Sequence, residues 1–387
     1  MLRRDFPWPG VSPLQPHTQL ARSRAVIIGG TLARYLSIRF AKTILATFAG
    51  VFVLIFTVDL VETLRRSGDT AGATGPLMAW LSFLHTPTVA EQALPFAVLF
   101  GAMIAFLGLS RKLELVVARA AGVSVWQFLT PPLAVVLVIG VVSVALYNPL
   151  SAAMKQQADA IEAKLFGGGG QARGSAGLWL RQKSVDGQAI VHADSVAGHG
   201  ATLSRVTVFA FDMEGRFVER VDAAGAELRD GFWRLEQANV VTPGFETESV
   251  DTYLLATTLT VGEVSQAYIA PETVPFWGLS PLAAQIERAG LDATGYRLRY
   301  QVLIARPLML MAMVLVAASF SLRFFRMGGV GIMVSGGVAA GFVLYVATKL
   351  VSDLGSAGFV STPVAGWSPA VVGCLFGVLV LLHQEDG

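Results

Sequence analysis

Apolar positions along this chain follow two periods, and the change between them separates membrane-spanning from extramembrane parts. A helix rises about 1.5 Å per residue, so crossing a hydrocarbon core of roughly 30 Å takes about 20 mostly apolar residues. Uncharged runs of this order occupy positions 43–58, 92–110, 120–154, 307–322, 327–348 and 354–384. They predict six transmembrane helices near 42–62, 91–110, 130–148, 301–321, 331–351 and 367–383. Positions 70–90 are uncharged too, but Gly72, Gly75, Pro76, His85 and Pro87 interrupt them. That stretch reads as an interfacial lead into a long second helix, not as a seventh span.

Between the third and fourth spans the pattern becomes β-like. Apolar–polar alternation marks strands at 178–181, 189–196, 203–211, 217–221, 224–228, 232–241 and 253–261, with turns at Met213, Glu214 and Gly215 and at Asp230 and Gly231. Short strands with regular turns suggest a sandwich or jellyroll rather than a βαβ fold. A glycine run at 167–170 leads into this region. Its exit carries a helix signature: Ser280 as N-cap, Pro281 at the first position and Gly290 after the last turn. Thr130 followed by Pro131 marks the start of the third span in the same way.

Charge then orients the spans. Arg3, Arg4, Arg22, Arg24, Arg34 and Arg39 precede span one, Arg111, Lys112 and Arg119 follow span two, and Arg323 and Arg326 follow span four. Excess Lys and Arg in short segments marks the cytoplasmic side. The loop at 352–366 has neither residue, whereas Arg65 and Arg66 after span one break the pattern. The fold class is therefore an α-helical polytopic membrane protein of six transmembrane helices with an inserted periplasmic, all-β, jellyroll-like domain. Its parts are a disordered cytoplasmic tail (1–30), spans one to three with a short cytoplasmic helix at 111–121 (31–148), the β domain with its connecting helix (149–300), and spans four to six (301–387).

Composition agrees. The chain has 387 residues, 53% hydrophobic and only 14% charged, against about 25% charged in ordinary soluble domains. A net charge of +2 gives no nucleic-acid footprint. The one cysteine, Cys374, lies in an apolar run and reads as a packing residue.

Catalytic motifs fail on inspection. The run at 167–170 lacks the lysine of a phosphate-binding loop, so the chain is not its own ATPase. Gly174, Ser175, Ala176 and Gly177 do not form a G-x-S-x-G elbow. His192 and His199 are seven apart with no third ligand nearby, and His17, His85 and His383 are isolated along the sequence, so no metal site is expected.

The turn after span two is more informative. Leu113, Val116, Val117 and Ala120 follow helical spacing, while Arg111, Lys112, Glu114 and Arg119 fall largely off that stripe. Gly122 is a natural stop. Such a helix either lies on the membrane surface or docks into a groove of a cytoplasmic partner. The run 114–124, Glu-Leu-Val-Val-Ala-Arg-Ala-Ala-Gly-Val-Ser, closely resembles the coupling-helix region of the LptF/LptG lipopolysaccharide export permeases. Ala33-Arg34-Tyr35-Leu36, the run 59–66 and Gly177-Leu178-Trp179 match in order, and the runs 231–235 and 289–296 resemble LptG more than LptF. Two positions depart from the pattern: Leu113 stands where the family commonly has a small polar residue, and Asp59 where some relatives are basic.

The resemblance implies a permease subunit of an ABC transporter that extracts lipopolysaccharide from the bacterial inner membrane and passes it to a periplasmic bridge. It implies an LptF-like permease partner, an LptB-like ATPase dimer that holds ATP and Mg, and an LptC-like protein. No cofactor is expected in this chain. Glu114 and Arg119, with Leu113, Val116 and Val117 as the apolar face, are the expected ATPase contacts. Arg65 and Arg66, and more remotely Arg297, Arg299 and Arg306, are candidates for lipid phosphates, because arginine binds phosphate bidentately. A membrane-anchored scaffold or sensor, and a secondary transporter, are the rival readings.

Overall fold

The computed structural model describes residues 30–67, 74–165, 178–184, 187–197, 202–257, 270–288, 292–324 and 330–385. The tail, the glycine run at 167–170, positions 258–261, His17, His199, Gly290 and Arg326 lie outside these. Nine α-helices and six strands are found among the described residues: α1 (Gly30–Arg66), α2 (Gly75–Arg111), α3 (Glu114–Ala120), α4 (Val125–Val142), α5 (Asn148–Leu165), β1 (Leu178–Ser184), β2 (Gly187–Ala197), β3 (Thr202–Phe211), β4 (Phe217–Arg229), β5 (Phe232–Val241), β6 (Glu248–Ala256), α6 (Phe276–Arg288), α7 (Thr294–Phe324), α8 (Val330–Ser356) and α9 (Thr362–Glu385). A π-helical turn, Ser143–Tyr147, joins α4 to α5.

Six helical segments are long and apolar enough to cross a membrane: α1, α2, the α4–α5 unit, α7, α8 and α9. Their number and order match the uncharged runs. Helix α7 is the hub, packing against α2, α4, α8 and α9. Its residues Leu310 and Ala312 to Ala318 are all buried, as expected of a helix apolar on every side. Helices α1 and α8 instead leave Leu45, Val53, Leu54, Val58, Phe342, Val343 and Leu350 exposed.

Helices α1 and α7 start at Gly30 and Thr294, before the expected 42 and 301, and boundaries differ from expectation in four further places. Helix α2 starts at Gly75 and runs 37 residues, so positions 75–90 belong to it, with Ser82, Leu84, Thr86, Pro87 and Ala90 buried. Pro87 is accommodated because packing continues around it: Thr86 Oγ1 bonds Ser82 O at 2.7 Å, and Tyr147 Oη donates to Pro87 O at 3.1 Å. Helix α4 starts at Val125, not near Pro131. Ser124 Oγ accepts from Gln127 N while Gln127 Oε1 accepts from Ser124 N, a reciprocal capping box that fixes the start earlier. The third span continues as α5 to Leu165, well past 148. Helix α6 begins at Phe276 with Pro281 inside it, because Asn148 Oδ1 accepts from Phe276 N at 2.9 Å and supplies the cap from another helix.

The strands form one antiparallel sheet in consecutive order, β1 to β6. Two strands expected separately at 217–221 and 224–228 are the single strand β4. The reason is a parity change. Buried positions are Leu203 then Val206 and Val208 in β3, Val221 and Ala223 then Ala226 and Leu228 in β4, and Trp233 and Leu235 then Ala238 in β5. Arg205 and Gln237 take left-handed φ values of 51° and 53°, and pairing steps from Ser204↔Gly225 to Val206↔Ala223 and from Gly225↔Glu236 to Ala223↔Ala238. One out-of-period residue per strand, aligned across three strands, bends the sheet without reversing its buried face.

The bend brings the first strand back to the last. Gln182 of β1 is buried; its Oε1 accepts from Trp233 Nε1 at 3.1 Å and Thr257 Oγ1 at 2.7 Å, and its Nε2 donates to Ala256 O at 3.2 Å. These three hydrogen bonds join β1 to β5 and the end of β6. The result is a curled, one-face-apolar sheet.

Candidate functional site

Two polar clusters in the helical part hold expected site residues, one at the turn from α2 to α3 and one midway along α2. The first is at the α3 end. Helix α2 stops at Arg111, and Leu113, with φ 57°, turns the chain into α3. Gly122, with φ 82°, ends it: Gly122 N bonds Arg119 O at 2.9 Å and Val123 N bonds Ala118 O at 3.1 Å, a Schellman closure. Leu115 is the buried residue of this short helix. Leu113, Val116 and Val117 are exposed, Val117 by 67%, and Arg119 is exposed beside them. The apolar stripe read from spacing is therefore an open face, while a residue off that stripe anchors the helix.

Glu114 points the other way. Tyr35 Oη donates to its Oε2 at 2.9 Å, and Arg39 Nη1 lies 3.3 Å from its Oε1. The glutamate expected to meet a partner is engaged within the chain, with about a third of its side chain exposed (31%). This contact was not visible in the sequence because 75 positions separate Arg39 from Glu114.

The second cluster surrounds Glu91, whose side chain is 1% exposed. Arg306 Nη1 donates to its Oε1, Arg299 Nη2 reaches the same oxygen at 3.5 Å, and Asn148 Nδ2 donates at 3.0 and 3.2 Å to its two oxygens. Gly140 lets α4 approach α7 here, since a Cβ would stand 2.6 Å from Pro307 Cα. The π-turn that follows swings Asn148 towards both Glu91 and the start of α6. Arg306, expected as a lipid contact, is instead a buried partner of Glu91, because a charge so far from solvent needs a counter-ion inside the fold. Arg299 carries the surplus positive charge of the group, and among the described residues its Nε has no hydrogen-bond partner.

The other three arginines expected to meet lipid are paired on the surface. Arg65 and Arg66 both bond Glu62 at 2.8 Å, with side chains 77% and 67% exposed. Arg297 bonds Glu287 through two contacts of 2.9 and 2.7 Å. Those hydrogen bonds hold the Glu287 carboxyl below its ordinary range. His85, isolated along the sequence, is not isolated in space: its Nε2 lies 3.4 Å from Glu162 Oε1, with Asp159 beside them and Lys155 Nζ 2.7 Å from Asp159 Oδ1. This mixed-charge group clasps α2 to α5 next to the small apolar cluster of Leu81, Leu84 and Ala158.

Six apolar helices, an inserted curled sheet and a short exposed helix between the second and third spans define a polytopic membrane protein with an inserted β domain. The chain belongs to the lipopolysaccharide export system permease LptF/LptG family, whose model matches residues 34–383. It is 26% identical over 336 residues to the lipopolysaccharide export system permease protein LptG of Escherichia coli (strain K12), covering 84% of this chain and 90% of that protein. The LptG protein of Haemophilus influenzae is 24% identical over 362 residues, covering 91% and 96%.

Proposed function

We propose that this chain is the permease subunit of an ABC transporter that extracts lipopolysaccharide from the bacterial inner membrane and passes it towards the outer membrane. The observation that carries this reading is α3: a short helix at the Arg- and Lys-rich end of the bundle, with Leu113, Val116 and Val117 uncovered and Arg119 beside them. Charge asymmetry supports a cytoplasmic place for that end, and hence a periplasmic place for the curled, jellyroll-like sheet at the other. An LptB-like ATPase dimer, holding ATP and Mg, docks on α3, with Glu114 at the margin of the contact. The uncovered faces of α1 and α8 suit an LptF-like partner permease and lipid, and an LptC-like protein receives cargo beyond the sheet.

Energetics call for such a partner. Removing an acyl chain from a bilayer costs about 0.8 kcal/mol per CH₂, so roughly 10 kcal/mol for twelve carbons. Several chains per lipid place spontaneous release out of reach. Among the arginines, Arg65 and Arg66 are exposed enough to meet a headgroup phosphate, Arg297 is engaged by Glu287, Arg299 lies at the edge of the buried cluster, and Arg306 serves the fold.

The test is purification from detergent with mass identification of bound subunits and lipid, for the wild-type chain and for Val116→Asp with Val117→Asp. Wild type is expected to carry the ATPase, a second permease and lipopolysaccharide, and the variant to keep the second permease but lose the ATPase. Full ATPase capture by the variant would remove α3 as the docking site, and capture of no ATPase by wild type would overturn the reading.

A further inference from the structure

The group that clasps α2 to α5 contains three side chains of metal-ligand type. His85 comes from α2, while Asp159 and Glu162, three residues apart, share one face of α5. One imidazole nitrogen and one oxygen of each carboxylate lie within 4.8 Å of one another. The best-defined edge of this triangle is His85 Nε2 to Glu162 Oε1, at 3.4 Å. That is longer than the roughly 2.7–2.9 Å of a charge-assisted hydrogen bond. It suits two ligands of one metal ion, because atoms about 2.0–2.1 Å from a tetrahedral zinc stand about 3.3–3.4 Å apart. The oxygen of Asp159 can close on the same point by a change of side-chain rotamer.

The surroundings favour a cation. His85 and Glu162 are 13% and 22% exposed, and Leu81, Leu84 and Ala158 pack beside them with Met154 and Ile161. Apolar neighbours raise the cost of two adjacent carboxylates and strengthen their attraction for positive charge. Lys155 supplies one such charge, with Nζ 2.7 Å from Asp159 Oδ1. Arg66 of α1 acts on Glu162 from farther off, but its own hydrogen bond goes to Glu62. With a neutral imidazole, Asp159, Glu162 and Lys155 together leave one net negative charge at the triad. An imidazole combined with carboxylates selects the zinc class of divalent ions, whereas magnesium and calcium prefer all-oxygen shells.

We propose that His85, Asp159 and Glu162 bind a single divalent cation of the zinc class, with a water in the remaining position. The ion takes the place of Lys155 on Asp159 and cross-links α2 to α5. Helix α5 is the last helix before β1, so the cross-link fixes the segment that leads from the third span into the sheet. The site lies about 39 Å along α2 from Arg111, far from α3, and the inference is independent of the docking reading.

The experiment uses the full chain, free of any affinity tag, in detergent. After treatment with a chelator it is titrated with Zn²⁺ in the presence of excess Mg²⁺, and bound metal is counted after dialysis. Co²⁺ serves as a second probe, because its visible absorption reports coordination geometry. Wild type should take up one Zn²⁺ that excess Mg²⁺ does not displace, and Zn²⁺ should raise its unfolding temperature. His85→Gln and Glu162→Gln keep side-chain volume and polarity, and should lose affinity by at least the roughly tenfold that removing an outer-shell partner costs. Both should unfold at the same temperature with and without Zn²⁺. Lys155→Gln removes the competing ammonium and should tighten binding severalfold, whereas a clasp made only of ion pairs would lose stability by this change and gain no metal. His192→Gln, on the sheet beside Asp194, controls for surface binding and should leave uptake unchanged. No uptake by wild type, or equal uptake by wild type, His85→Gln and Glu162→Gln, would overturn the inference and leave the transport reading standing.

Discussion

Glu91 and Glu114 both pair with arginine, yet their surroundings make them opposite devices. Glu91 is enclosed where α2, α5 and α7 meet, with Arg306 8% and Arg299 14% exposed and Asn148 carrying the contact on to α6. Glu114 joins two elements, and its pair with Arg39 is 31% and 20% exposed. In a low-dielectric site an ion pair is costly to open, whereas one near water exchanges partners at small cost. The bundle is therefore locked at Glu91 and more readily opened at Glu114. Exposure, rather than pair chemistry, sets which cluster fixes the fold and which can move.

The largest expected effect tests that difference. Glu91→Ala leaves two buried arginines facing each other, and breaking a buried pair in this way costs about 3–5 kcal/mol. Glu114→Ala opens a partly exposed pair and should cost about 1 kcal/mol or less. Thermal unfolding of the detergent-solubilised complex would measure both, and equal losses would erase the distinction. Joint replacement by Glu91→Leu and Arg306→Met should recover part of the loss, since apolar residues of similar volume satisfy such a site without a counter-ion.

A neutral cluster gives the middle case. Gln182→Ala leaves Trp233 Nε1 without the acceptor it has inside the sheet and removes the Thr257 Oγ1 contact to that amide, at about 1–3 kcal/mol. Because Gln182 also bonds Ala256 O, amide exchange should accelerate at the end of β6 more than in β3 and β4. Uniform exchange across the sheet would mean that the buried glutamine does not join its ends.

Much of this architecture was legible in the sequence because it depends on local pattern. Six uncharged runs gave six spans, and β5 spans Phe232–Val241 as its alternation and the Asp230–Gly231 turn require. The start of α4 is written in the Ser124 and Gln127 spacing, while Thr130 followed by Pro131 offers a competing start signal inside the helix. The continuity of β4 was not, because an out-of-period residue looks like a strand end when the neighbouring strands that share the bend are not in view. The candidate sites divide in the same way. The open face of α3 follows from helical spacing, whereas Arg306 with Glu91 joins residues 215 positions apart, and only the packed helices bring them together. Composition alone made Arg306 look like Arg65, although one is buried and the other is among the most exposed side chains of its helix.

Arg65 and Arg66 supply the smallest effect on stability and the clearest contrast with the buried cluster. Both share Glu62, so the last turn of α1, from Glu62 to Arg66, keeps one net positive charge, with Asp59 and Glu162 acting on Arg66 from farther away. Exposed pairs of this kind contribute about 0–1 kcal/mol, so Arg65→Gln with Arg66→Gln should leave thermal unfolding and subunit capture nearly unchanged. Glutamine is preferred to glutamate here because two more carboxylates beside Glu62 would add repulsion at i,i+3 and i,i+4 spacing. If the surplus charge serves a headgroup phosphate, each charge-assisted contact contributes about 1.5–3 kcal/mol, and photocrosslinking of lipopolysaccharide to this helix end should fall severalfold while assembly holds. Export should fall with it. Unchanged crosslinking would leave both arginines as interfacial anchors whose aliphatic stems lie along the bilayer edge, and would move the search for headgroup contacts to Arg299, whose Nε is the unpaired donor of the buried cluster.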